Sequence, residues 1–302
     1  MAASSNEDRQ PGRTVGIVGL GIMGGAMARN LVAGGWRVIG YDIDAAALAA
    51  ARHNGVEVVE DAAAVAASAS DIITSLPSAE AALATAQAIA QQAPAGVVVM
   101  EMSTLALEDK EQFASRIAEK GHVALDCPLS GTGVQAQSKD LVVYASGPSG
   151  EIERLGPLFL SLGRKYFNLG AYGNGTKMKF VANLLVAIHN VASAEAMVLG
   201  IKGGLDPQQI VEVIAAGAGT SRVFELRAPL MAESRYQPAS MRCSVWQKDM
   251  QVIGAFAAKL GCPTPLFNAT VPIYDAGLAK GYGTHDTASV CAVLEAMAGL
   301  RR

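Results

Sequence analysis

Val15-Gly16-Ile17-Val18-Gly19-Leu20-Gly21-Ile22-Met23-Gly24 is the stretch that decides the fold of the first half of the chain. Its first four residues predict a buried strand, and the apolar pattern after the last glycine predicts a helix. Between them, Gly19 allows a tight turn, Gly21 lets another group approach the backbone, and Gly24 permits close packing of helix on strand. The stretch therefore predicts a strand, a turn and a helix whose N-terminal N–H groups are available to an anion.

As far as about Leu169, short β-branched runs alternate with alanine-rich helical stretches, which is the pattern of βαβ units around a parallel sheet. The predicted strands are 14–18, 37–41, 56–59, 71–76, 97–100, 122–125 and 141–145. The predicted helices are 23–33, 45–54, 62–67, 79–92 and 108–120. This half is predicted to be a Rossmann-type, doubly wound α/β domain.

The length of 302 residues exceeds what one hydrophobic core usually supports, so two domains are expected. After a glycine-rich break at 170–175 the pattern becomes helical, with predicted helices at 176–203, 207–216, 245–260 and 287–298. We therefore predict a disordered lead over 1–13 and an α/β domain over 14–174. An all-helical domain over 175–302 is predicted to begin with a long interdomain helix.

Composition excludes several classes of partner. The net charge is −3 and only 17% of residues are charged, which offers no surface for a polyanion, so no nucleic acid partner is expected. The first residues lack the apolar core of a secretory signal. The apolar segment 181–201 is interrupted by polar residues, so no membrane span is predicted. Four cysteines without zinc or redox spacing predict reduced thiols, no metal site and a cytoplasmic protein.

An acidic residue gives the glycine motif a more specific meaning. The second predicted strand ends in Asp42, 18 positions beyond Gly24, near the spacing of ~20 at which a carboxylate binds the ribose of a dinucleotide. A 2′-phosphate would meet that charge with no arginine in 42–44, so NAD is predicted over NADP. The alternative is that Asp42 only caps the next helix, although Asp44 is better placed to do so. The predicted cofactor contacts are Gly19, Leu20, Gly21, Ile22, Met23, Gly24 and Asp42.

Four motifs in order make the chain, from about residue 14 to 299, similar to the β-hydroxyacid dehydrogenase family. They are the glycine turn with Met23, Asp126-Cys127-Pro128-Leu129-Ser130-Gly131, Gly173-Asn174-Gly175 leading to Lys179, and Lys248-Asp249. The resemblance implies that Lys179 is the catalytic proton donor and acceptor, which suits the need for a base beside a hydroxyl that loses its proton. The alternative is a solvated helix lysine like Lys177.

The resemblance also implies the residues that bind substrate and cofactor. Ser130, Gly131 and Thr132 would hold a substrate carboxylate, with Thr132 standing where the family usually has a second glycine; a plain turn is the alternative. Asn183, four residues after Lys179, would orient the substrate, or would be an interhelical hydrogen-bonding group. The further cofactor contacts implied are Leu76, Pro77, Thr104 and Lys248, although Lys248 could instead pair with Asp249 on the surface.

We therefore predict an oxidoreductase that transfers a hydride between NAD and a small 3-hydroxy acid of the 3-hydroxyisobutyrate, threonate, or glycerate and tartronate semialdehyde type. Segments 186–197 and 281–286 look nearest to the threonate dehydrogenase-like branch. The alternatives are an imine or ketone reductase of the same fold and a non-catalytic dinucleotide-binding scaffold, and the presence of Lys179 argues against both. The apolar helical second half predicts a homodimer or homotetramer.

Overall fold

The computed structural model describes residues 13–94 and 96–302, so the predicted lead over 1–13 lies outside the described residues except for Arg13. The chain divides into two compact units, Met1–Lys179 and Phe180–Arg302. The first unit combines strands and helices, and the second is helical in its described residues. The predicted fold class, a Rossmann-type domain followed by an all-α domain, is confirmed.

The first unit is built on a six-stranded parallel sheet with the order β3-β2-β1-β4-β5-β6. Its strands are β1 (Thr14–Val18), β2 (Arg37–Tyr41), β3 (Glu57–Val58), β4 (Asp71–Thr74), β5 (Val98–Glu101) and β6 (Val123–Asp126). The helices between them are α1 (Ile22–Ala33), α2 (Ala45–His53), α3 (Ala62–Ser68), α4 (Ala79–Gln92) and α5 (Leu107–Ala118). The predicted elements of this sheet are confirmed to within a few residues at each end.

Both faces of the sheet are covered, which explains why its strands read as continuous apolar runs. Val98 and Met100 of β5 belong to one buried apolar cluster, whereas Val99 and the preceding Val97 belong to another. Neighbouring side chains of a strand point to opposite faces, so the two clusters are the two sides of the sheet. Apolar burial on both sides fixes the register of the strands and the edge at which they end.

The order of the strands reverses between β1 and β4, because β2 and β3 lie on one side of β1 and β4 to β6 lie on the other. In open α/β sheets ligands bind at such a reversal, beyond the carboxyl ends of the strands. The glycine turn follows β1 at this point and is fixed by two backbone hydrogen bonds. Gly19 N–H donates to the Tyr41 carbonyl at 2.9 Å, and Ser75 N–H donates to the Val18 carbonyl at 3.0 Å.

The prediction that the strand near 141–145 belongs to the parallel sheet is wrong. That strand, β8 (Val142–Ala145), lies in a separate three-stranded sheet between the antiparallel β7 (Leu129–Ser130) and the parallel β9 (Lys165–Asn168). Sequence reasoning missed β7 because it has two residues, and missed β9 because it lacks the apolar alternation of a half-buried strand. The same region contains three short helices that the pattern did not predict: α6 (Gly133–Gln137), α7 (Ser149–Arg154) and α8 (Gly156–Leu162).

The second unit packs helices around one apolar core. They are α9 (Asn174–Lys202, whose first turns belong to the first unit), α10 (Pro207–Ala215), α11 (Arg222–Ala232), α12 (Cys243–Lys259), α13 (Pro265–Ala279) and α14 (Val290–Met297). Two of them, α11 and α13, were not predicted. Each contains an internal proline, Pro229 or Pro272, which sequence reasoning treats as a helix boundary because proline lacks the N–H group.

Helix α9 is, by length and composition alone, the one helix in the described part of the chain that could cross a membrane. A buried core helix passes the same test. Side chains along α9, including Ala187, Ala194 and Met197, are fully buried in the core of the second unit. We therefore interpret α9 as a helix that contributes one face to that core.

Candidate active site

The three glycines of the turn have different surroundings. At Gly19, φ is +92° and an added Cβ would lie 2.2 Å from the Ser75 carbonyl oxygen. At Gly24 an added Cβ would lie 1.8 Å from the Gly19 carbonyl oxygen. Gly21 is exposed and has open space where a Cβ would stand. The turn itself therefore requires Gly19 and Gly24, whereas the open space at Gly21 is the kind a bound pyrophosphate fills.

The start of α1 fits such an anion. Gly21 is its N-cap, the helix has no side-chain cap, and its first turn contains no acidic residue. The N-terminal N–H groups and the positive end of the helix dipole then favour a phosphate. The turn is thus a cradle of the kind that a dinucleotide requires.

Asp42 lies beside this turn and contacts it directly. Its Oδ2 accepts a hydrogen bond from the Leu20 N–H at 2.6 Å, and its Oδ1 accepts one from the Asp44 N–H at 2.8 Å. The N-cap of α2 is Asp44, whose side chain accepts from the Ala46 N–H. Asp42 is therefore not the cap of that helix, and its hydrogen bond from Leu20 holds the glycine turn, which the sequence did not suggest.

The loops after β4 and β5 meet at the same edge of the sheet as the glycine turn. The Leu76 N–H donates to the Ser103 hydroxyl oxygen at 2.8 Å, which joins the loop of Leu76 and Pro77 to the loop that contains Thr104. Pro77 is exposed and Thr104 is half-buried. These predicted cofactor contacts are thus held together at the carboxyl edge of neighbouring strands.

The predicted carboxylate loop follows β7, and Ser130 is the last residue of that strand. Gly131 has φ +130°, and an added Cβ would lie 2.6 Å from Leu141 Cδ2, so the loop needs glycine there. Thr132 is the N-cap of α6 and forms a capping box with Gln135, whose Oε1 accepts from the Thr132 N–H at 2.9 Å. The N–H of Thr132 is therefore already hydrogen-bonded. The hydroxyl of Thr132 is then the group of this residue that can donate a hydrogen bond to a ligand.

Sequence reasoning missed Gln135, although a threonine followed three residues later by glutamine is the signature of a capping box. The box starts α6 beside the glycine turn. An added Cβ at Gly133 would lie 2.6 Å from Ile22 Cγ2, and the Asn30 amide of α1 donates to the Ala136 carbonyl at 2.6 Å. The predicted carboxylate loop and helix α1 are thus neighbours within the first unit.

Lys179 differs from an ordinary surface lysine. It is 8% exposed, and its Nζ donates to the Leu129 carbonyl at 2.7 Å, directly before Ser130. Lys177, two positions earlier on the same helix, is exposed. The structure therefore brings the ammonium group of Lys179 to the predicted carboxylate loop.

The start of α9 explains the Gly173-Asn174-Gly175 motif. Gly173 has φ +88°, and an added Cβ at Gly175 would lie 2.3 Å from the Tyr144 carbonyl oxygen and 2.7 Å from that of Asp126. The chain can therefore begin α9 against β6 and β8 only if these positions lack side chains. Lys179 lies one helical turn beyond Gly175.

Three charged side chains beneath this helix start are fully buried, and sequence reasoning gave none of them a role. Lys110 forms ion pairs with Glu101 and with Asp126, the latter at 3.0 Å. Burial has the largest effect on the Lys110 ammonium and lowers its pKa, but the two carboxylates together outweigh it and hold the pKa above its ordinary value. Lys110 is therefore a cation that neutralises buried carboxylates.

Two predicted residues belong to the second unit. Asn183 is 6% exposed, and its Nδ2 donates to Asp249 Oδ2 of α12 at 2.9 Å. The interhelical bond that was an alternative for Asn183 is therefore present, and it occupies one of the two amide hydrogens. Lys248, the neighbour of Asp249 on α12, is half-buried.

Alkaline pH is expected to destabilise the folded chain. Burial raises the pKa of the Cys127 thiol well above its ordinary value, and the Asp126 charge raises it further. Above about pH 9 an unfolded cysteine releases its proton while the folded one retains it, so the free energy of unfolding falls as the pH rises. The expected contribution of Cys127 to this loss is about 1 kcal/mol between pH 8 and 10.

Urea unfolding at the two pH values measures this loss. Cys127→Ala removes one contribution and should make the dependence shallower, although Cys243 and Cys291, whose thiol pKa values are also raised by burial, retain theirs. Cys262→Ala changes an exposed thiol and should leave the dependence as it is in the wild type. A free energy of unfolding that stays constant or rises from pH 8 to 10 would contradict the expectation.

Two models of known protein families match the two halves of this chain. Residues 14–170 match a family model described as the NAD binding domain of 6-phosphogluconate dehydrogenase. Residues 173–294 match one described as NAD-binding of NADP-dependent 3-hydroxyisobutyrate dehydrogenase. Both halves of the chain thus match models of nicotinamide-dependent dehydrogenases.

Individual relatives cover nearly the whole chain. An L-threonate dehydrogenase from Escherichia coli O6:H1 is 31% identical over 91% of this chain and 93% of its own length. A 2-(hydroxymethyl)glutarate dehydrogenase from Eubacterium barkeri is 30% identical over 95% and 96%. The solved 3-hydroxyisobutyrate dehydrogenase of Mycobacterium tuberculosis with L-serine is 27% identical, with a TM-score of 0.85 over 93% of this chain and 99% of that one.

A solved imine reductase variant from Myxococcus stipitatus with NAD+ shares the fold at 12% identity and a TM-score of 0.62, over 93% of this chain and 99% of that one. It is more distant than the hydroxyacid dehydrogenases, so the likeness concerns the fold alone. The predicted family resemblance is confirmed by the models and relatives above. This chain belongs to the β-hydroxyacid dehydrogenase family and is an oxidoreductase that acts on the CH–OH group of donors with a nicotinamide cofactor.

Proposed function

We propose that the chain catalyses the reversible, NAD-linked oxidation of a small 3-hydroxy acid, with Lys179 as the group that moves the proton. The observation that carries this assignment is the buried ammonium of Lys179, bonded to the Leu129 carbonyl beside the carboxylate loop. A base beside the substrate hydroxyl is what the oxidation of an alcohol requires. The fold by itself would support only cofactor binding.

In the proposed reaction the residues of this chain bind the substrate, orient it and move a proton. The Ser130 hydroxyl, the Gly131 N–H and the Thr132 hydroxyl hold the substrate carboxylate, and the free amide hydrogen of Asn183 orients the reacting end. Neutral Lys179 accepts the hydroxyl proton during oxidation, and its ammonium form returns the proton to the carbonyl oxygen during reduction. The nicotinamide, when bound, accepts or supplies the hydride.

Substrate class follows from these donors. Two hydroxyls and one N–H suit a carboxylate on a small, polar acid, and the capping box at Thr132 removes one N–H from that set. Threonate is the first acid to test, because the L-threonate dehydrogenase above is 31% identical. The 3-hydroxyisobutyrate and the glycerate or tartronate semialdehyde types follow.

A panel of small hydroxy acids with NAD+ or NADP+, followed by the absorbance of the reduced cofactor, tests the proposal. A 3-hydroxy acid that reduces NAD+ supports it. Activity with cyclic imines and NADPH, without activity on hydroxy acids, would favour an imine reductase. Cofactor binding without any turnover would favour a scaffold.

Asp42 underlies the proposed preference for NAD. Asp42→Asn keeps an acceptor for the Leu20 N–H and removes the charge that would face a 2′-phosphate. We expect the ratio of kcat/KM for NAD to that for NADP to fall about tenfold in this variant. Asp44→Asn, two residues away at the cap of α2, is the matched control and should leave the ratio unchanged. An unchanged ratio in Asp42→Asn would remove Asp42 from the ribose site.

We also propose a homodimer or homotetramer in the cytoplasm, with a small carboxylate as ligand and no nucleic acid or membrane partner. Val181, Leu185 and Leu199 on α9 are 56%, 47% and 77% exposed, and they recur at the spacing of a helix face that packs on another helix. Sedimentation equilibrium measures the stoichiometry. The cysteines, which are not paired in the structure, suit a reducing compartment.

A further inference from the structure

A fully buried charge cluster lies at the carboxyl ends of β5 and β6 and contains Glu101, Lys110 and Asp126, each 0% exposed. The Lys110 ammonium donates to Asp126 Oδ1 at 3.0 Å and to the Glu101 carbonyl at 3.1 Å, and it pairs with Glu101 Oε2. Burying a charge this deeply lowers the stability of the fold unless the charge is paired with an opposite one. One ammonium with two carboxylates leaves one negative charge for other groups to balance.

Helix α9 balances that charge. Asp126 Oδ2 accepts the Thr176 N–H at 2.7 Å, and Asp126 Oδ1 accepts the Thr176 hydroxyl at 2.7 Å. Ser146 reinforces this contact, because its hydroxyl donates to Asp126 Oδ2 at 3.2 Å and accepts the Gly175 N–H at 2.9 Å. Both N–H groups belong to the first turn of α9, at the positive end of the helix dipole. Asp126 therefore binds the helix start that lies one turn before Lys179.

Glu101 extends the cluster in the other direction. Its Oε1 accepts the Ser103 N–H at 3.0 Å, and the Ser103 hydroxyl oxygen accepts the Leu76 N–H at 2.8 Å. Leu76 begins one of the loops proposed to contact the cofactor. A continuous chain of hydrogen bonds and ion pairs thus runs from that loop, through Lys110, to the first turn of α9.

We propose that Glu101, Lys110 and Asp126 are positioning residues, which hold the first turn of α9, and with it Lys179, in fixed register with the cofactor loop at Leu76. The inference rests on the proposed function, since it concerns the placement of the proposed proton-transfer group. The three side chains act through Thr176 and Ser103. A displacement of about 1 Å in a reacting group can cost about 100-fold in rate, so such an anchor has a large effect on catalysis.

Stability alone is a weak reason for the cluster. Buried ion pairs can often be replaced by apolar side chains of similar volume without loss of stability. What an apolar replacement could not supply is an acceptor for the two hydrogen bonds that Thr176 donates to Asp126, which fix the rotation and the start of α9.

Thr176→Val tests the anchor with little change of shape, because valine matches threonine in volume and lacks the hydroxyl that Asp126 accepts. Thr176→Ser is the matched control and keeps that hydroxyl. We expect kcat to fall by about 10- to 100-fold in Thr176→Val, with the KM for the hydroxy acid and the Kd for NADH within about twofold. Thr176→Ser should retain kcat within about threefold.

A charge-balanced double variant, Lys110→Met with Glu101→Gln, tests the source of the anchor. It removes one positive and one negative charge, so the buried net charge is unchanged. We expect it to lower kcat at least as much as Thr176→Val, with NADH still bound. If the double variant does not fold, the difference in kcat between Thr176→Val and Thr176→Ser tests the positioning role by itself.

Amide hydrogen exchange over residues 173–180 gives a readout that needs no substrate. Exchange there should be about tenfold faster in Thr176→Val and unchanged in Thr176→Ser, with the peptide covering α1 unaffected in both. If the wild-type chain oxidises no hydroxy acid, the proposed function fails. The exchange rates then still test whether the charge cluster holds the first turn of α9 in place. Wild-type exchange in Thr176→Val, or an equal loss of kcat in the valine and serine variants, would overturn the inference.

Discussion

Replacing Lys179 with alanine is expected to lower kcat for hydroxy-acid oxidation by about 10²- to 10⁴-fold, the usual contribution of a positioned acid or base. Binding of NADH should persist, because in the proposed site Lys179 contacts the substrate and the glycine turn holds the cofactor. Absorbance of the reduced cofactor measures turnover, and quenching of protein fluorescence measures the Kd for NADH.

Two variants separate chemistry from folding in that experiment. Lys177→Ala changes an exposed lysine two positions away on the same helix and should leave kcat within about twofold. Lys179→Met retains most of the apolar stem, so it should be as inactive as Lys179→Ala and should unfold closer to the wild-type temperature than Lys179→Ala does. Near-normal turnover in either Lys179 variant would remove this residue from the reaction.

Gly21→Ala is expected to weaken NADH binding at least about tenfold without changing the melting temperature. Apart from its chain neighbours, a methyl group at this position meets nothing within 4 Å among the described residues, so the fold tolerates it. The same methyl group would occupy the space in which the pyrophosphate approaches the start of α1. A substitution that weakens NADH binding and leaves the melting temperature unchanged is strong evidence that the residue contacts the cofactor directly.

Two other glycines provide the comparison for Gly21. Gly24→Ala forces a methyl group to within 1.8 Å of the Gly19 carbonyl oxygen and should lower the melting temperature as well as binding. Gly150→Ala, at an exposed position of α7, also meets nothing within 4 Å among the described residues, and it should leave NADH affinity unchanged and the melting temperature no lower. Unchanged NADH affinity in Gly21→Ala would show that the turn does not bind the pyrophosphate.

The sheet could be predicted from the sequence because its signals are local. Buried strands such as β1 and β5 read as mostly apolar runs, and the glycine spacing identifies the turn between β1 and α1. Strand β9 could not be predicted because its side chains are largely exposed and its pairing with β8 is non-local. Helices α11 and α13 were missed because tertiary packing overrides the helix-breaking tendency of Pro229 and Pro272.

The residues of the site that belong to sequence motifs could be predicted. Their hydrogen-bond and ion-pair partners could be identified only from the fold. The glycine turn, Lys179 and the loop at Ser130 were found from motif and resemblance. Nothing in the sequence around Lys110 distinguishes it from a surface lysine on an amphipathic helix, because its carboxylate partners come from two other elements. The bond from Leu20 to Asp42 likewise joins residues 22 positions apart, beyond the reach of a local pattern.

Transfer of deuterium from substrate to cofactor tests the central claim most directly. A hydroxy acid from the panel that carries deuterium on its carbinol carbon is incubated with NAD+ and the purified chain, and the cofactor is analysed by mass spectrometry. We expect reduced cofactor that carries one deuterium with the wild-type chain and with Lys177→Ala, and essentially none with Lys179→Ala. Reduced cofactor without deuterium, or deuterated cofactor formed equally fast by Lys179→Ala, would contradict a lysine-assisted hydride transfer in this chain.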